Sequence, residues 1–298
     1  MDIVGFAVPW DRLNQAIVSL YSYRKENPTW VLTVFYDDAL TRKKLESVYD
    51  KLRYVEVDDA DAVAVVNYAL NDPEVQSLLL LDPSTVCNGP IVDIAQAKLG
   101  DQALVIRPDR PFELSRFNDG YPRLDPDHLD RYMRSRSYFS LGVVVFNLPV
   151  LRDSVDCADF YSNYLRVDCL DRGMPKHYLN RVLSGVKKGL LPGHINVKVE
   201  SALHKVFSST QCMRHQVRMR QARIVNFSSP KPPWEDVGGI DRLFIQMPYR
   251  LYCNVATPVA DHLDPEFYAQ VKHNAKRQLD RFGDFDKAFE TMYDVASL

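Results

Sequence analysis

A run of four leucines at 78–81 leads directly into Asp82-Pro83-Ser84, and it limits the possible folds of this chain more than any other feature. A short, uninterrupted apolar run that ends at a turn signal is typical of a strand buried on both faces, as in the middle of an α/β sheet. Open α/β sheets bind ligands in the crevice beyond the carboxyl ends of such strands. Asp82 is therefore predicted at the mouth of the main crevice. The alternative is that 82–84 only form the turn after a core strand.

Strands and helices alternate along the first part of the chain. The predicted order is strand 3–8, a helix capped by Asp11, strand 30–36, helix 41–51, strand 54–57, helix 60–71 and strand 78–81. Such alternation indicates βαβ units and a mainly parallel sheet. The fold class is therefore predicted as α/β.

Composition is that of a soluble globular protein. The chain has 298 residues, of which 46% are hydrophobic, and its 37 basic and 39 acidic side chains give a formal charge of −2. That balance offers no general electrostatic case for nucleic-acid or membrane binding. No apolar run approaches the roughly 18 residues of a membrane span, and the N-terminal stretch lacks signal-peptide features. Five scattered cysteines without a CxxC pair predict reduced thiols, so the expected location is cytoplasmic.

The second half of the chain carries two more strand signals and two stretches rich in arginine. Buried strands are predicted over 139–147 and 223–227, and the latter is followed by SSPKPPW at 228–234. Residues 107–136 are too many for an idle connection, which predicts a lid or functional loop, with a solvated surface loop as the alternative. Residues 204–223 form the clearest basic patch.

The C-terminal region is predicted to be helical. Asp264-Pro265 favours the start of a helix that runs to about residue 282, and another helix is predicted over 285–293. The chain is therefore divided into an α/β domain, 1–240, and a helical extension, 241–298, that packs on this domain or mediates association.

Three segments, in this order, resemble glycosyltransferase family eight, the group of glycogenin, galactinol synthase and lipopolysaccharide galactosyltransferases. The family reads roughly LYLDAD where this chain has LLLLDPS at 78–84, and YFNSGVLLINL where it has YFSLGVVVFNL at 138–148. Its third motif, ARIIHFTGPxKPW, matches ARIVNFSSPKPPW at 222–234. The similarity covers about residues 1–240. It implies the GT-A fold, a nucleotide-sugar donor, and transfer with retention of anomeric configuration.

The residues that hold the family's metal are only partly present. In the family, an Asp-x-Asp pair and a histidine hold Mn²⁺ beside the donor diphosphate. Here Asp82 stands at the first carboxylate, Ser84 at the second and Asn226 at the histidine, while the family's phosphate-binding lysine is matched one position away, by Lys231. A hydroxyl and an amide are weak ligands compared with carboxylate and imidazole. The resemblance implies Mn²⁺ as a cofactor, but the residues predict that its ligands are lost and that no metal site remains.

A third departure lies on a predicted helix over 175–184. The family's DQD motif brings polar groups near the reacting sugar, and Lys176 and His177 replace its Gln and Asp. Cationic side chains are therefore predicted to stabilise the leaving diphosphate in place of the metal. Asp82, Lys176 and His177 are the predicted catalytic residues. The alternative is a domain that has lost catalysis and binds only a sugar nucleotide or a partner.

Other donor contacts are predicted from their positions in the chain. The predicted donor-binding residues are Val8, Trp10, Asn67, Asp82, Ser84, Asn226, Ser229 and Lys231. Trp10 follows the first strand, where the family binds the nucleoside, and it is expected either to stack on the base or to lie in the core. Gly142 matches the family's Ser-Gly turn beside the acceptor, but Leu141 replaces the serine.

The expected reaction is the transfer of a hexose from a nucleotide diphosphate sugar, with UDP favoured, to an acceptor hydroxyl group. Most of the catalysis in such a reaction is positioning and charge stabilisation. The acceptor is left open between a small sugar, a glycan, a protein side chain and a hydroxylated base in nucleic acid. The basic patch is compatible with the last of these through phosphate contacts. The sequence makes no prediction about the oligomeric state.

Overall fold

A seven-stranded sheet forms the centre of the structure. The structure is a computed structural model, and it describes residues 2–91, 94, 99–108, 138–166, 175–198, 221–228, 232–235 and 249–282. The strands are β1 Ile3–Ala7, β2 Leu32–Tyr36, β3 Leu52–Glu56, β4 Ser77–Leu81, β5 Thr85–Cys87, β6 Leu104–Ile106, β7 Val143–Asn147, β8 Lys188–Leu190, β9 Val197–Lys198 and β10 Ile224–Asn226. The α-helices are α1 Leu13–Glu26, α2 Ala39–Val48, α3 Ala62–Asn71, α4 Leu148–Arg152, α5 Phe160–Arg166, α6 Pro175–Val182, α7 Tyr249–Ala256 and α8 Pro265–Phe282. Short 3₁₀ helices cover Trp10–Arg12 and Thr257–His262.

The strand order of the large sheet is β3-β2-β1-β4-β7-β6-β8, and β7 alone among these strands runs antiparallel to its neighbours. This confirms the predicted α/β class with a mixed, mainly parallel sheet. The leucine run forms β4, and its four leucines are at most 2% exposed. Both faces of β4 are covered, so the strand has no need of polar alternation.

The two faces of the sheet are covered by different elements. On one face, Leu79 and Leu81 belong to a core shared with α1 and with residues of the C-terminal helices α7 and α8. On the other face, Leu78 and Leu80 belong to a core shared with α3, α5 and α6. The described C-terminal helices thus pack beside α1. The boundary predicted between residues 240 and 241 lies outside the described residues.

A smaller sheet of order β5-β10-β9 adjoins the end of β4. Strand β10 pairs antiparallel with β5, with Asn226 opposite Thr85, and parallel with β9. The segment that follows the leucine strand is therefore joined directly to the segment that resembles the family's third motif. Strands of two or three residues are too short to show a period in the sequence, and β5 and β9 were not predicted.

Several local predictions need correction. The helix after β1 begins at Leu13, and its cap position is Arg12 without a side-chain hydrogen bond, so the predicted Asp11 cap is wrong. Helix α2 begins before Thr41 because the Asp38 carboxylate accepts a hydrogen bond from the Thr41 N–H at 2.9 Å. Helices α4 and α7 were not predicted. The predicted helix at 285–293 and nearly all of the predicted loop at 107–136 lie outside the described residues.

None of the helices in the described part of the chain combines the length and apolar character that a membrane crossing requires.

Candidate active site

An arginine and an aspartate meet at the carboxyl edge of the two central parallel strands. Strands β1 and β4 pair in parallel with Phe6 opposite Leu81, so the segments that follow both strands leave the sheet at the same edge. Arg12 Nη1 donates a hydrogen bond to Asp82 Oδ2 at 3.0 Å, across 70 residues of sequence. The side chains are 41% and 22% exposed, respectively, so this ion pair remains open to a ligand.

The backbone and carboxylate of Asp82 are held by several further hydrogen bonds. Its Oδ1 accepts from the Ser84 N–H at 2.8 Å and from the Ser84 hydroxyl at 2.5 Å. Its N–H donates to the Gly142 carbonyl at 3.1 Å, which continues the pairing of β4 with β7. Its own carbonyl accepts from the Thr85 N–H and hydroxyl. The carboxylate is therefore fixed in position before any ligand arrives.

The charges of the pair reinforce each other. Burial alone raises the pKa of Asp82, but the nearby Arg12 charge and the Ser84 hydrogen bonds together outweigh it and hold this pKa below its ordinary value. The Asp82 charge in turn raises the pKa of Arg12, against the opposing effect of burial. Both groups are therefore ionised at neutral pH, and the carboxylate already has a cation beside it.

A pair of buried amides adjoins Ser84, whose hydroxyl lies 3.5 Å from Asn226 Oδ1. Asn226, which is 0% exposed, donates from Nδ2 to Asn196 Oδ1 at 2.9 Å and accepts the Ser228 N–H on Oδ1 at 2.8 Å. Asn196 is also 0% exposed and has a left-handed backbone with φ 55°, a conformation that asparagine tolerates better than most residues. The amide of Asn226 therefore makes its hydrogen bonds inside the protein.

Gly142 allows this amide pair to approach the strand. A Cβ on Gly142 would lie 1.9 Å from Asn226 Nδ2 and 2.4 Å from Asn196 Oδ1, far inside van der Waals contact. The family's serine before this glycine is absent at 141, but the Ser140 hydroxyl accepts a hydrogen bond from the Gly142 N–H at 3.3 Å. A hydrogen-bonding serine is thus present one position earlier than the motif led us to expect.

A divalent ion does not fit this set of donors. The one carboxylate is already paired with a guanidinium, and a metal ion in the same place would face that positive charge. The Ser84 hydroxyl is buried and donates to Asp82, and the Asn226 amide is fully buried in contacts of its own. Within the described residues, no three His, Cys, Asp or Glu side chains cluster in a way that could hold a metal ion.

Several solved glycosyltransferases share this architecture. The bifunctional glycosyltransferase WbbM matches with a TM-score of 0.63 at 12% identity, over 88% of this chain and 51% of that one. The galactosyltransferase LgtC, solved with donor and acceptor sugar analogues, matches with a TM-score of 0.56 at 13% identity, over 87% of this chain and 96% of that one. GlyE of Streptococcus pneumoniae TIGR4 matches with a TM-score of 0.52 at 12% identity, over 92% and 63%.

The chain has the GT-A fold. This confirms the fold that the three motifs implied, and it supports the resemblance to family eight at the level of structure. Comparisons with protein-family models and with curated protein sequences found no match. The chain spans about half the length of WbbM.

Helix α6, which carries the predicted Lys176 and His177, is fastened to the segment before Gly142. Asn180 accepts from the Phe139 N–H at 2.7 Å and donates to the Phe139 carbonyl at 3.0 Å. The Lys176 ammonium lies 5.2 Å from the centre of the Tyr138 ring. The side chain of His177 lies outside the described part of the structure. Lys176 is thus attached to the segment that supports Asp82, and its catalytic role stays a prediction.

The predicted nucleoside contacts have contrasting environments within the GT-A fold. Trp10 is 53% exposed beside Arg12 in the chain, so the alternative that it lies in the core is wrong. The Val8 side chain is buried in the first core, and its N–H donates to the Phe35 carbonyl at 2.9 Å. Of the groups of Val8, its carbonyl is the one left for a ligand. The Trp10 side chain is exposed enough to stack on a base, and that contact stays a prediction.

Asn67 lies on α3, which covers the face of the sheet opposite to α1. Its side-chain oxygen accepts from Asn71 at 3.0 Å, and it lines an open groove of about 410 Å³ together with Glu56, Asp58 and other residues. Within the described part of the chain, no hydrogen bond links it to the Arg12–Asp82 pair. Its role as a nucleoside contact stays a prediction. The predicted Ser229 and Lys231 lie outside the described residues.

The segment after β10 is held by the C-terminal helices. Trp234 stacks on Phe267 with ring centres 6.1 Å apart, and Asn274 Nδ2 donates to the Pro233 and Glu235 carbonyls at 2.9 Å each. Helix α8 therefore anchors the end of the segment that matches the family's third motif.

Sequence reasoning missed Arg12 and Asn196. Arg12 could have been found because it is a basic residue that closely follows β1. Since β1 and β4 pair in parallel, the residues that follow the two strands lie at the same edge of the sheet. No comparable signal pointed to Asn196, because its contact with Asn226 depends on the short pairing of β9 with β10.

Proposed function

We propose that this chain binds a nucleotide diphosphate sugar, with UDP as the favoured nucleotide, at the edge where Arg12 meets Asp82, and transfers its hexose to an acceptor hydroxyl. The observation that carries the proposal is the ion pair itself: a pre-positioned and partly exposed Arg–Asp pair at the carboxyl end of the central strand of a GT-A fold. This edge is where open α/β sheets take their ligands.

In the proposed reaction, the bond between the sugar C1 and the diphosphate oxygen breaks, and its electron pair leaves with the diphosphate. The acceptor oxygen forms the new bond to C1 on the same face of the sugar, which retains the anomeric configuration. The acceptor proton passes to the leaving phosphate oxygen or to solvent. The products are a glycoside and a nucleoside diphosphate. Charge stabilisation at the leaving oxygens is the main requirement on the protein.

Asp82 is proposed to bind the sugar of the donor. An ionised carboxylate has about four lone-pair sites, and three donors use it here, two from Ser84 and one from Arg12. One site remains for a sugar hydroxyl. Ser84 and Asn226 are 2% and 0% exposed, so we propose that they fix Asp82 from behind and do not contact the donor. Trp10 is proposed to stack on the base, because it is 53% exposed and belongs to the turn that follows β1.

Transfer without a metal is part of the proposal. Its support is chemical, because three groups form a poor site for Mn²⁺. The Asp82 carboxylate is already paired with Arg12, the Ser84 hydroxyl donates to Asp82, and the Asn226 amide is buried in a hydrogen bond with Asn196. Lys176 and His177 stay candidates for contacts with the diphosphate or acceptor. The acceptor is proposed only as a hydroxyl compound, and the basic patch at 204–223 that raised nucleic acid as an acceptor lies almost entirely outside the described residues.

The test is a donor panel on the full chain. Thermal shift and calorimetric titration with UDP, GDP and their hexose conjugates should give saturable binding to one nucleotide family, in EDTA as well as in Mn²⁺. Release of the nucleoside diphosphate from the matching sugar conjugate should fall by tenfold or more in Asp82→Asn, because the variant loses the charge that orients the donor and pins Arg12. Binding with no turnover on any acceptor would favour the alternative of a binding domain without catalysis. Absence of binding to every nucleotide would refute the proposal.

A further inference from the structure

Asp82 alone would be an unfavourable group at a diphosphate site. A carboxylate beside the phosphates of a nucleotide sugar repels them, so a cation has to stand between the two. In the family that this chain resembles, a metal ion has that place. Here the described residues offer no metal site, and the cation in contact with Asp82 is the guanidinium of Arg12, at 3.0 Å.

Arg12 has hydrogen-bonding capacity left over. A guanidinium carries several N–H donors in a flat fork that matches the oxygens of a phosphate. Only one of these groups, on Nη1, has an acceptor among the described residues, and that acceptor is Asp82. The side chain is 41% exposed. The remaining N–H groups are therefore available to an anion that enters the crevice.

The position of the guanidinium is fixed from both ends. Its backbone belongs to the 3₁₀ turn Trp10–Arg12, in which the Arg12 N–H donates to the Pro9 carbonyl at 3.0 Å. Its tip is held by Asp82, which is itself fixed by Ser84 and by the edge of β7. A long cationic side chain held in this way loses less conformational entropy when it binds phosphate than a free one does.

We propose that Arg12 is the cation of the donor site: it binds the diphosphate and stabilises the charge of the leaving group in the place where a divalent metal serves the related enzymes. The inference rests on the proposed donor binding and adds to it the residue responsible. Arg12 stays protonated throughout, and it acts through hydrogen bonds and charge alone. Arg12 lies outside the three segments that resemble the family.

The test compares Arg12 with another arginine of the same region of the chain. Arg24, near the end of α1, also pairs with an aspartate, Asp50, at 3.2 Å, but it belongs to the opposite end of the helix. Arg12→Gln, Arg12→Lys and Arg24→Gln would be titrated calorimetrically in EDTA with the UDP or GDP that binds wild type, and with the corresponding nucleoside. Circular dichroism and thermal unfolding would confirm that each variant is folded.

The expected result is a loss of about 10- to 100-fold in diphosphate affinity for Arg12→Gln, since hydrogen bonds from charged groups are that strong. Arg12→Lys should retain part of the affinity, because the charge remains but the fork is lost. Nucleoside affinity should be unchanged, which a merely structural effect would not produce. The affinity of Arg12→Gln should also depend less on salt, and Arg24→Gln should behave as wild type.

Two results would overturn the inference while leaving donor binding intact. One is equal diphosphate affinity of Arg12→Gln and wild type. The other is wild-type binding that appears only when Mn²⁺ is added. If wild type binds no nucleoside diphosphate or sugar conjugate under either condition, the proposed function fails and this inference fails with it.

Discussion

Gly142→Ala provides a direct structural test of the buried amide pair behind Asp82. The added Cβ would lie 1.9 Å from Asn226 Nδ2 and 2.4 Å from Asn196 Oδ1, where ordinary contacts need well over 3 Å. Neither amide can rotate into solvent, because both residues are 0% exposed. The structure can accommodate the methyl group only if the pair separates or the backbone of the strand shifts.

The size of the effect follows from two contributions. Overpacking of a core costs about 1–3 kcal/mol. Breaking the 2.9 Å hydrogen bond from Asn226 to Asn196 leaves buried polar atoms without partners, which costs about 1–3 kcal/mol more. The expected destabilisation is therefore roughly 2–6 kcal/mol, or a decrease of Tm by roughly 3–10 °C for a chain of this size.

Equilibrium unfolding in urea and thermal unfolding would measure the loss, with Gly185→Ala as the matched control. A Cβ at Gly185 has no neighbour within 4 Å, so that variant should unfold like wild type. Gly142→Ala should also weaken donor binding, because the Gly142 carbonyl accepts the Asp82 N–H. If Gly142→Ala is within about 0.5 kcal/mol of Gly185→Ala, the close approach of the amides is wrong.

Three more predictions concern charge, burial and capping. Because the pKa of Asp82 is lowered in the fold, its contribution to stability is complete above the unfolded pKa near 4 and is lost as the pH falls through the folded pKa. Urea titrations at several pH values should therefore show that Asp82→Asn lacks this part of the acid destabilisation. An acid profile identical to that of wild type would contradict the ion pair. Burial raises the pKa of Cys87 to about 12, so this thiol should resist alkylation at pH 8 until urea is added. Mass spectrometry would detect the modification, and rapid labelling of the native chain would refute the burial of Cys87. Arg152 donates hydrogen bonds to the Leu70 and Ala69 carbonyls at the end of α3, at 2.9 Å each. Arg152→Met should therefore lower the free energy of unfolding, measured in urea, by about 2–4 kcal/mol, and Arg152→Lys should lower it by less. If both variants are as stable as wild type, this capping contributes nothing.

The strands of the large sheet were the part of this fold that the sequence predicted best. The leucine run of β4 and the run Val143–Asn147 of β7 are apolar and bounded by turn residues, and they form adjacent strands. Such runs predict burial because nothing polar in them needs solvent. In the smaller sheet only β10 was predicted, since β5 and β9 are too short to show a pattern, although their pairing with β10 determines where Asn226 lies.

The candidate site was only half predictable for a related reason. Motif matching led to Asp82, Ser84 and Asn226, whose segments are joined by the pairing of β5 with β10. It could not reveal that two of the three side chains are buried in hydrogen bonds of their own. It also could not reveal the partner of Asp82, because Arg12 is 70 residues away and belongs to no motif. A charge that replaces a metal need not come from the positions that lost the ligands.

A crystal structure of the full chain grown with UDP, a UDP-hexose and Mn²⁺ would show whether Arg12 takes the place of a metal ion at the donor site. We expect electron density for the diphosphate at the carboxyl edge of β1 and β4, within hydrogen-bonding distance of the Arg12 guanidinium, with no metal ion between the phosphates and Asp82. A nucleotide bound elsewhere, such as in the groove beside Asn67, would refute this role of Arg12. So would a Mn²⁺ ion ligated by Asp82 with Arg12 displaced from it.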